Sequence, residues 1–333
     1  MSSGYKKETQ HINWIDFAKV AGIYLVIIGH GKLLSPEWRQ YIYSFHMPLF
    51  FIISGMLFHV KPKDKFWKNI VRRMIIPYLL INLFFLVVKN LGRVLLIGKW
   101  DLSNFLKQIY AILLGVGYKT EYCEPVCTTL WFVIALVILY IIFNISASRK
   151  YAVLVTLACI VCFIALSTQG IDIWMPIDSA LFAAPFFCFG MFAKEYLLNN
   201  NNENKYAMVG GALLLVCYIV NLYNGKVNIN GCNYGRSLAL FYVAGGTGAM
   251  GFLLLCKSIS IKKDYSEFAK GLFLIMGFNL LFISLFTFAF NKLFPSINMS
   301  SGIGLFVGFL ILICFKPIIN WCIKYFPAII GYR

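Results

Sequence analysis

Asn13-Trp14-Ile15-Asp16-Phe17-Ala18-Lys19-Val20-Ala21-Gly22-Ile23-Tyr24-Leu25-Val26-Ile27-Ile28-Gly29-His30-Gly31 is an apolar run that carries an aspartate, a lysine and a histidine. As a helix it extends roughly 28 Å, about the thickness of a bilayer's hydrocarbon core. Lys19 and His30 are eleven positions apart. At about 100° per residue that step closes to within roughly 20°, so the two share a helix face, about 16 Å apart along the axis. Asp16 lies one turn before Lys19 and is placed to pair with its ammonium. An ionisable group inside a membrane costs on the order of 3 kcal/mol on insertion scales, and such groups mark functional sites by default.

The rest of the chain fits this membrane reading. Of its 333 residues 60% are hydrophobic, 17% aromatic and only 13% charged. A soluble domain of this size cannot cover its surface with so few polar groups. The fold class is an all-α, polytopic membrane protein. Apolar runs of spanning length fall near 13–31, 41–59, 73–95, 129–147, 151–168, 177–195, 206–223, 237–256, 270–290 and 301–321, about ten in all. The stretch Asp101–Leu114 is too short and too amphipathic to cross and reads as a helix lying on the surface.

The net charge of +17 comes from loop residues rather than from a basic stripe with interleaved aromatics, which argues against nucleic-acid binding. With the N-terminus inside, roughly 19 of the 30 basic residues fall on the cytoplasmic side, among them Lys6, Lys7, Lys61, Arg72, Arg73, Lys262 and Arg333. This supports an even number of spans with both termini cytoplasmic. The first run has Asp16 and Lys19 inside it and no small-residue cleavage site, so it is expected to stay as the first span. No soluble domain or 20–50-residue repeat stands out, and Asn199–Asn204 reads as a short polar loop. The whole of 1–333 forms one transmembrane domain. Of ten cysteines, seven lie in or beside apolar runs and act as small hydrophobes, including the CxxC-spaced Cys159 and Cys162. Cys123, Cys127 and Cys232 lie in loops without metal-site spacing, and a disulfide among them stays open.

In this topology Lys19 lies toward the cytoplasmic end of the first span and His30 toward the external end. The second span starts outside and carries His46, which is expected at the depth of His30. Arg72 and Arg73 stand at the cytoplasmic surface, on the side of Lys19.

Four stretches together resemble the membrane-bound acyltransferase family 3, in particular its fucose 4-O-acetylase-like branch of sugar O-acetyltransferases. They are Asp16-Phe-Ala-Lys19 with His30 in Ile-Gly-His, then Phe45-His46-Met47-Pro48-Leu49-Phe50-Phe51-Ile52-Ile53-Ser54-Gly55, then Arg72-Arg73-Met-Ile-Ile-Pro77-Tyr78, and Leu130-Trp131-Phe132. All fall within 13–135. Many relatives have arginine in place of Lys19, and often a histidine where this chain has Asn279.

The resemblance implies a multi-pass enzyme of the cell membrane that moves an acetyl group from acetyl-CoA, its co-substrate, to a hydroxyl of a surface or lipid-linked saccharide. No metal is called for. An alcohol needs a base within reach, and a neutral imidazole is the usual one near pH 7. His30 takes that role, with Gly29 and Gly31 leaving room beside the ring. Lys19 and Arg72 or Arg73 face the compartment that holds CoA and suit its phosphates, with Asp16 orienting Lys19. His46, Ser54 and Trp131 are candidates for the acceptor side. Each residue also has a plain structural role: a neutralised surface pair for Asp16 and Lys19, a helix-end cap for His30, close helix packing for Ser54-Gly55, topological anchors for Arg72 and Arg73. A competing function is a transporter or flippase of a lipid-linked saccharide, with Lys19 and His30 as gate or proton relay.

Overall fold

Helices make up the regular structure among the described residues, which in this computed structural model are 12–146, 149–169, 176–199, 203–259, 261 and 263–331. They are α1 (Asn13–Gly29), α2 (Pro36–Met56), α3 (Lys63–Ile70), α4 (Ile76–Ile97), α5 (Leu102–Leu114), α6 (Trp131–Ile145), α7 (Arg149–Thr168), α8 (Ile177–Asn199), α9 (Glu203–Asn224), α10 (Leu238–Ser258), α11 (Ser266–Lys270), α12 (Leu272–Leu293) and α13 (Ser301–Tyr325). Short 3-10 turns cover Thr128–Leu130 and Pro327–Ile330, and a wider π turn, Val71–Ile75, joins α3 to α4. Of the charges used to orient the chain, Lys6, Lys7, Lys262 and Arg333 lie outside the described residues, as does part of the loop Asn199–Asn204.

Each expected apolar run coincides with a helix, but among the described residues eight helices, against about ten expected spans, are long and apolar enough to cross a membrane. The two that fall short are α1 and α2, the bearers of the histidines. α1 has only 17 residues. α2 opens with Pro36, Glu37 and Arg39, a start favoured by proline's preset φ and by a carboxylate at the positive end of the helix dipole. The expected 73–95 run is likewise part of a longer rod, 63–97.

α1 and α2 sit inside the bundle. α2 packs against α8, α10, α1 and α9, and α1 against α2, α10, α12 and α13. Asp16 and His46 are buried and Lys19 and His30 half-buried against protein, which is how a membrane protein keeps such groups at tolerable cost. The α2–α8 crossing depends on small residues: a Cβ on Gly55 would fall onto the Phe187 carbonyl, and one on Gly190 onto the Ile52 carbonyl. Side-chain-free positions let the two backbones touch, so Gly55 serves packing. Around this crossing Phe58, Tyr140, Phe143 and Phe187 form a ring cluster with centroid separations from 4.9 to 5.7 Å, and Phe51 pairs with Phe132 at 4.8 Å.

α5 is the expected short helix. Asp101 caps it by accepting from the Asn104 N–H at 2.9 Å, and Gly115 closes it in the left-handed conformation. It buries Gln108 and Ala111, Gln108 accepts from Asn90 Nδ2, and Tyr78 donates to the Ile112 carbonyl. None of the ten cysteines is in a disulfide.

Candidate active site

α1 ends at Gly29, one residue before His30. The His30 N–H closes the last turn onto the Val26 and Ile27 carbonyls, and Gly31 then turns the chain at φ +70°. Arg39 reaches back from α2 to donate to the Gly31 carbonyl at 2.8 Å. The two glycines do not leave room for a substrate as expected. A Cβ on Gly29 would crowd Ile42 of α2, and one on Gly31 would meet Ile283 of α12 at 2.8 Å. They serve helix contact and backbone conformation, and the space beside the imidazole lies elsewhere.

His30 Nδ1 is 2.7 Å from the Val26 carbonyl, and His46 Nδ1 is 2.9 Å from the Ile42 carbonyl, each four residues back on its own helix. A carbonyl only accepts, so both Nδ1 atoms carry the hydrogen. In the neutral rings the lone pair therefore sits on Nε2. The same bond that caps α1 thus selects the tautomer in which His30 presents a basic nitrogen. The two rings meet edge to face at 6.2 Å, with Tyr43 at 5.7 Å from His30 and 4.9 Å from His46. His46 is almost fully buried, whereas His30 is half-buried.

Both imidazoles open into a cavity of about 220 Å³. Trp131 and Thr129 at the start of α6 form one wall, and Asn228 and Asn230, from the loop between α9 and α10, form another. That loop is shaped by a two-way backbone pairing of Asn228 with Asn233, at 2.7 and 2.9 Å.

A second cavity, about 360 Å³, lies at the other end of α1. Lys19, Lys61, Arg73 and Lys270 line it together with Ser54 and His59, and among the described residues no carboxylate does. Lys19 is held by Asp16 at 2.8 Å, one turn earlier and buried. The Lys61 ammonium is pushed below the ordinary lysine value, first by burial and then by the charge of Arg73. Cations pressed together in this way favour an anionic occupant.

The structure divides the predicted residues between the two chambers. Lys19, Arg73 and Ser54 meet in the cationic one, and His30, His46 and Trp131 in the other. Ser54 is thus placed away from the imidazoles. Arg72 joins neither: across the π turn it lines an apolar groove of about 790 Å³ beside α12 and α13. Asn279 is fully buried on α12, and among the described residues neither of its side-chain amide atoms has a protein partner. Met276 lines both chambers.

The profile of the acyltransferase domain of family 3 matches residues 12–326, nearly the whole chain and all of the bundle just described. The chain belongs to acyltransferase family 3. No curated protein and no solved structure matches it. The two chambers of this membrane acyltransferase are also lined by residues that sequence reasoning passed over. Tyr43 was legible one helical turn before His46. Lys61 and Lys270 counted only as topological charges. Asn228, Asn230 and Met276 reach the chambers through long-range packing that no local pattern signals.

Proposed function

We propose that this acyltransferase moves an acetyl group from acetyl-CoA, bound from the cytoplasmic side, to a hydroxyl of a cell-surface or lipid-linked saccharide in the cell membrane. The observation that carries this reading is the pair of chambers sharing a wall along α1, one lined by cations and the other by imidazoles. A CoA thioester has that polarity: a phosphorylated nucleotide at one end and a reactive carbonyl at the other. Lys19, Lys61, Arg73 and Lys270 suit the phosphates. The axial distance from Lys19 to His30, about 16 Å on helical geometry, is bridged by the extended pantetheine arm.

The acceptor hydroxyl gives its proton to His30 Nε2 as its oxygen attacks the thioester carbonyl. The tetrahedral adduct collapses with cleavage of the C–S bond, and the departing thiolate takes the proton back from the imidazolium. An ester and free CoA result, and the base is regenerated. His46, with its own Nδ1–H fixed on Ile42, and Tyr43 hold the His30 ring on the cavity side. Trp131 offers a flat apolar face to a sugar ring and Asn230 an amide to its hydroxyls. The sequence likeness to the fucose 4-O-acetylase-like branch supports a saccharide acceptor, and the cationic chamber with its cluster of basic residues supports a cytoplasmic mouth.

The test supplies labelled acetyl-CoA to membranes that contain the full chain and a surface polysaccharide. Alkali-labile label on the glycan, lost in His30→Ala with the protein still folded, is the expected result. Saccharide crossing the membrane with no label transferred selects the transporter instead.

A further inference from the structure

A septum divides the two chambers, and one residue stands in the wall of both. On α2, Met47 faces the imidazole chamber while Phe50, one turn on, faces the cationic one. At the start of α6 the neighbours Trp131 and Phe132 divide in the same way. Phe132 packs against Phe51 at 4.8 Å and Phe50 at 6.1 Å, so the septum is a fixed aromatic collar. Met276 of α12 completes it and is 3% exposed.

The backbone that carries Met276 has little freedom. Its carbonyl accepts from the Thr129 hydroxyl at 2.6 Å, and the next carbonyl, of Gly277, accepts from the Cys127 thiol at 3.3 Å. α4 presses on the same point, since a Cβ on Gly277 would meet Ile81 at 2.7 Å. Within a clamped backbone and a rigid aromatic collar, the adjustable element is the thioether chain, unbranched and with three rotatable bonds.

We propose that Met276 is the residue that selects acyl-chain length in this acyltransferase. This rests on the reading that the acyl group passes from the cationic chamber to His30. The leading end of the thioester must then slip past Met276 and lodge, with the acceptor, in a chamber of about 220 Å³. An acetyl group asks little more than a rotamer change of the thioether. A longer chain competes with Cγ, Sδ and Cε of Met276 for the same space. Truncation to alanine frees that space, whereas a bulky ring in its place seals the passage without touching the cations that hold the phosphates.

The experiment uses membranes with the full chain and a surface polysaccharide, and offers acetyl-, propionyl- and butyryl-CoA to wild type, Met276→Ala and Met276→Trp. Ester formed on the glycan and acyl-CoA bound to the purified protein are both measured. Wild type is expected to prefer acetyl. Met276→Ala should raise the butyryl-to-acetyl transfer ratio at least tenfold. Met276→Trp should lower acetyl transfer at least tenfold more than it weakens acetyl-CoA binding. Should Met276→Trp fail to fold, the ratio in Met276→Ala decides alone. A chain-length profile unchanged in Met276→Ala overturns the selector and leaves acyl transfer standing. A wild type that binds acyl-CoA but esterifies no glycan overturns the reading beneath it as well.

Discussion

His30 and His46 meet edge to face at 6.2 Å, and each donates its Nδ1–H to the carbonyl four residues back on its own helix. The arrangement fixes both tautomers from the backbone and leaves two basic nitrogens at one cavity. The half-buried ring is the one able to meet a substrate, and the buried ring supports it.

Replacing His30 with alanine or glutamine should therefore lower transfer by about 10²–10⁴-fold, the usual contribution of a general base. Affinity for acetyl-CoA should change little, because the cations proposed to hold its phosphates lie at the other end of α1. Initial rates and direct CoA binding on the same preparation check this. Loss of both together would assign His30 to structure instead.

Two adjacent arginines provide a sharper contrast. Arg73 lines the chamber with Lys19, whereas Arg72 lines the apolar groove beside α13. Arg73→Ala should raise the KM for acetyl-CoA about tenfold or more, the cost of a lost charge-assisted bond. Arg72→Ala should leave it within twofold. Equal effects from both substitutions contradict the assignment.

How much of this was legible in the sequence differs from residue to residue. The shared face of Lys19 and His30 follows from helical geometry, and the structure places them in two chambers along α1. Asp16 beside Lys19 follows from the same spacing. Helix existence was readable from apolar runs, yet Pro36-Glu37 extends α2 upstream of its run, because helix-start chemistry is polar. The split of Arg72 from Arg73 depends on a π turn, and Met276 on the docking of α12 against the α5–α6 connection. These are long-range facts with no local periodicity. The roles given to Gly29 and Gly31 missed for a related reason: a glycine reads as free space in sequence, but helix contact had already claimed that space.

Lys61 gives a pH signature. Burial, then the Arg73 charge, holds its ammonium below the ordinary value of 10.5. In the folded protein the proton is thus bound less tightly than in the unfolded chain. Between the lowered value and 10.5 the unfolded state carries more protons, so this group's contribution to stability rises with pH across that window. Lys61→Gln should raise the melting temperature of the ligand-free protein at neutral pH and flatten the rise, while weakening acetyl-CoA binding. Melting curves in detergent from pH 7 to 10, with and without CoA, check both effects. A lower melting temperature at neutral pH contradicts the crowding of cations.

The α2–α8 crossing should tolerate no side chain. Gly190→Val places its Cβ against the Ile52 carbonyl, so the helices must part. A destabilisation of about 3 kcal/mol, at the upper end for overpacking, is expected in thermal or denaturant unfolding. Activity should fall too, because α2 carries His46. Gly211→Ala, where a Cβ meets nothing within 4 Å, is the matched control and should be silent.

The central claim is that CoA lies along α1 with its phosphates in the cationic chamber and its sulfur toward the imidazoles. A structure of the full-length protein with bound CoA tests this most directly. Phosphate oxygens are expected within hydrogen-bond distance of Lys19, Lys61 or Arg73, and the thiol at the Met276 septum, pointing to His30 Nε2. Phosphates held in the groove beside Arg72, or a thiol directed away from His30, would contradict it.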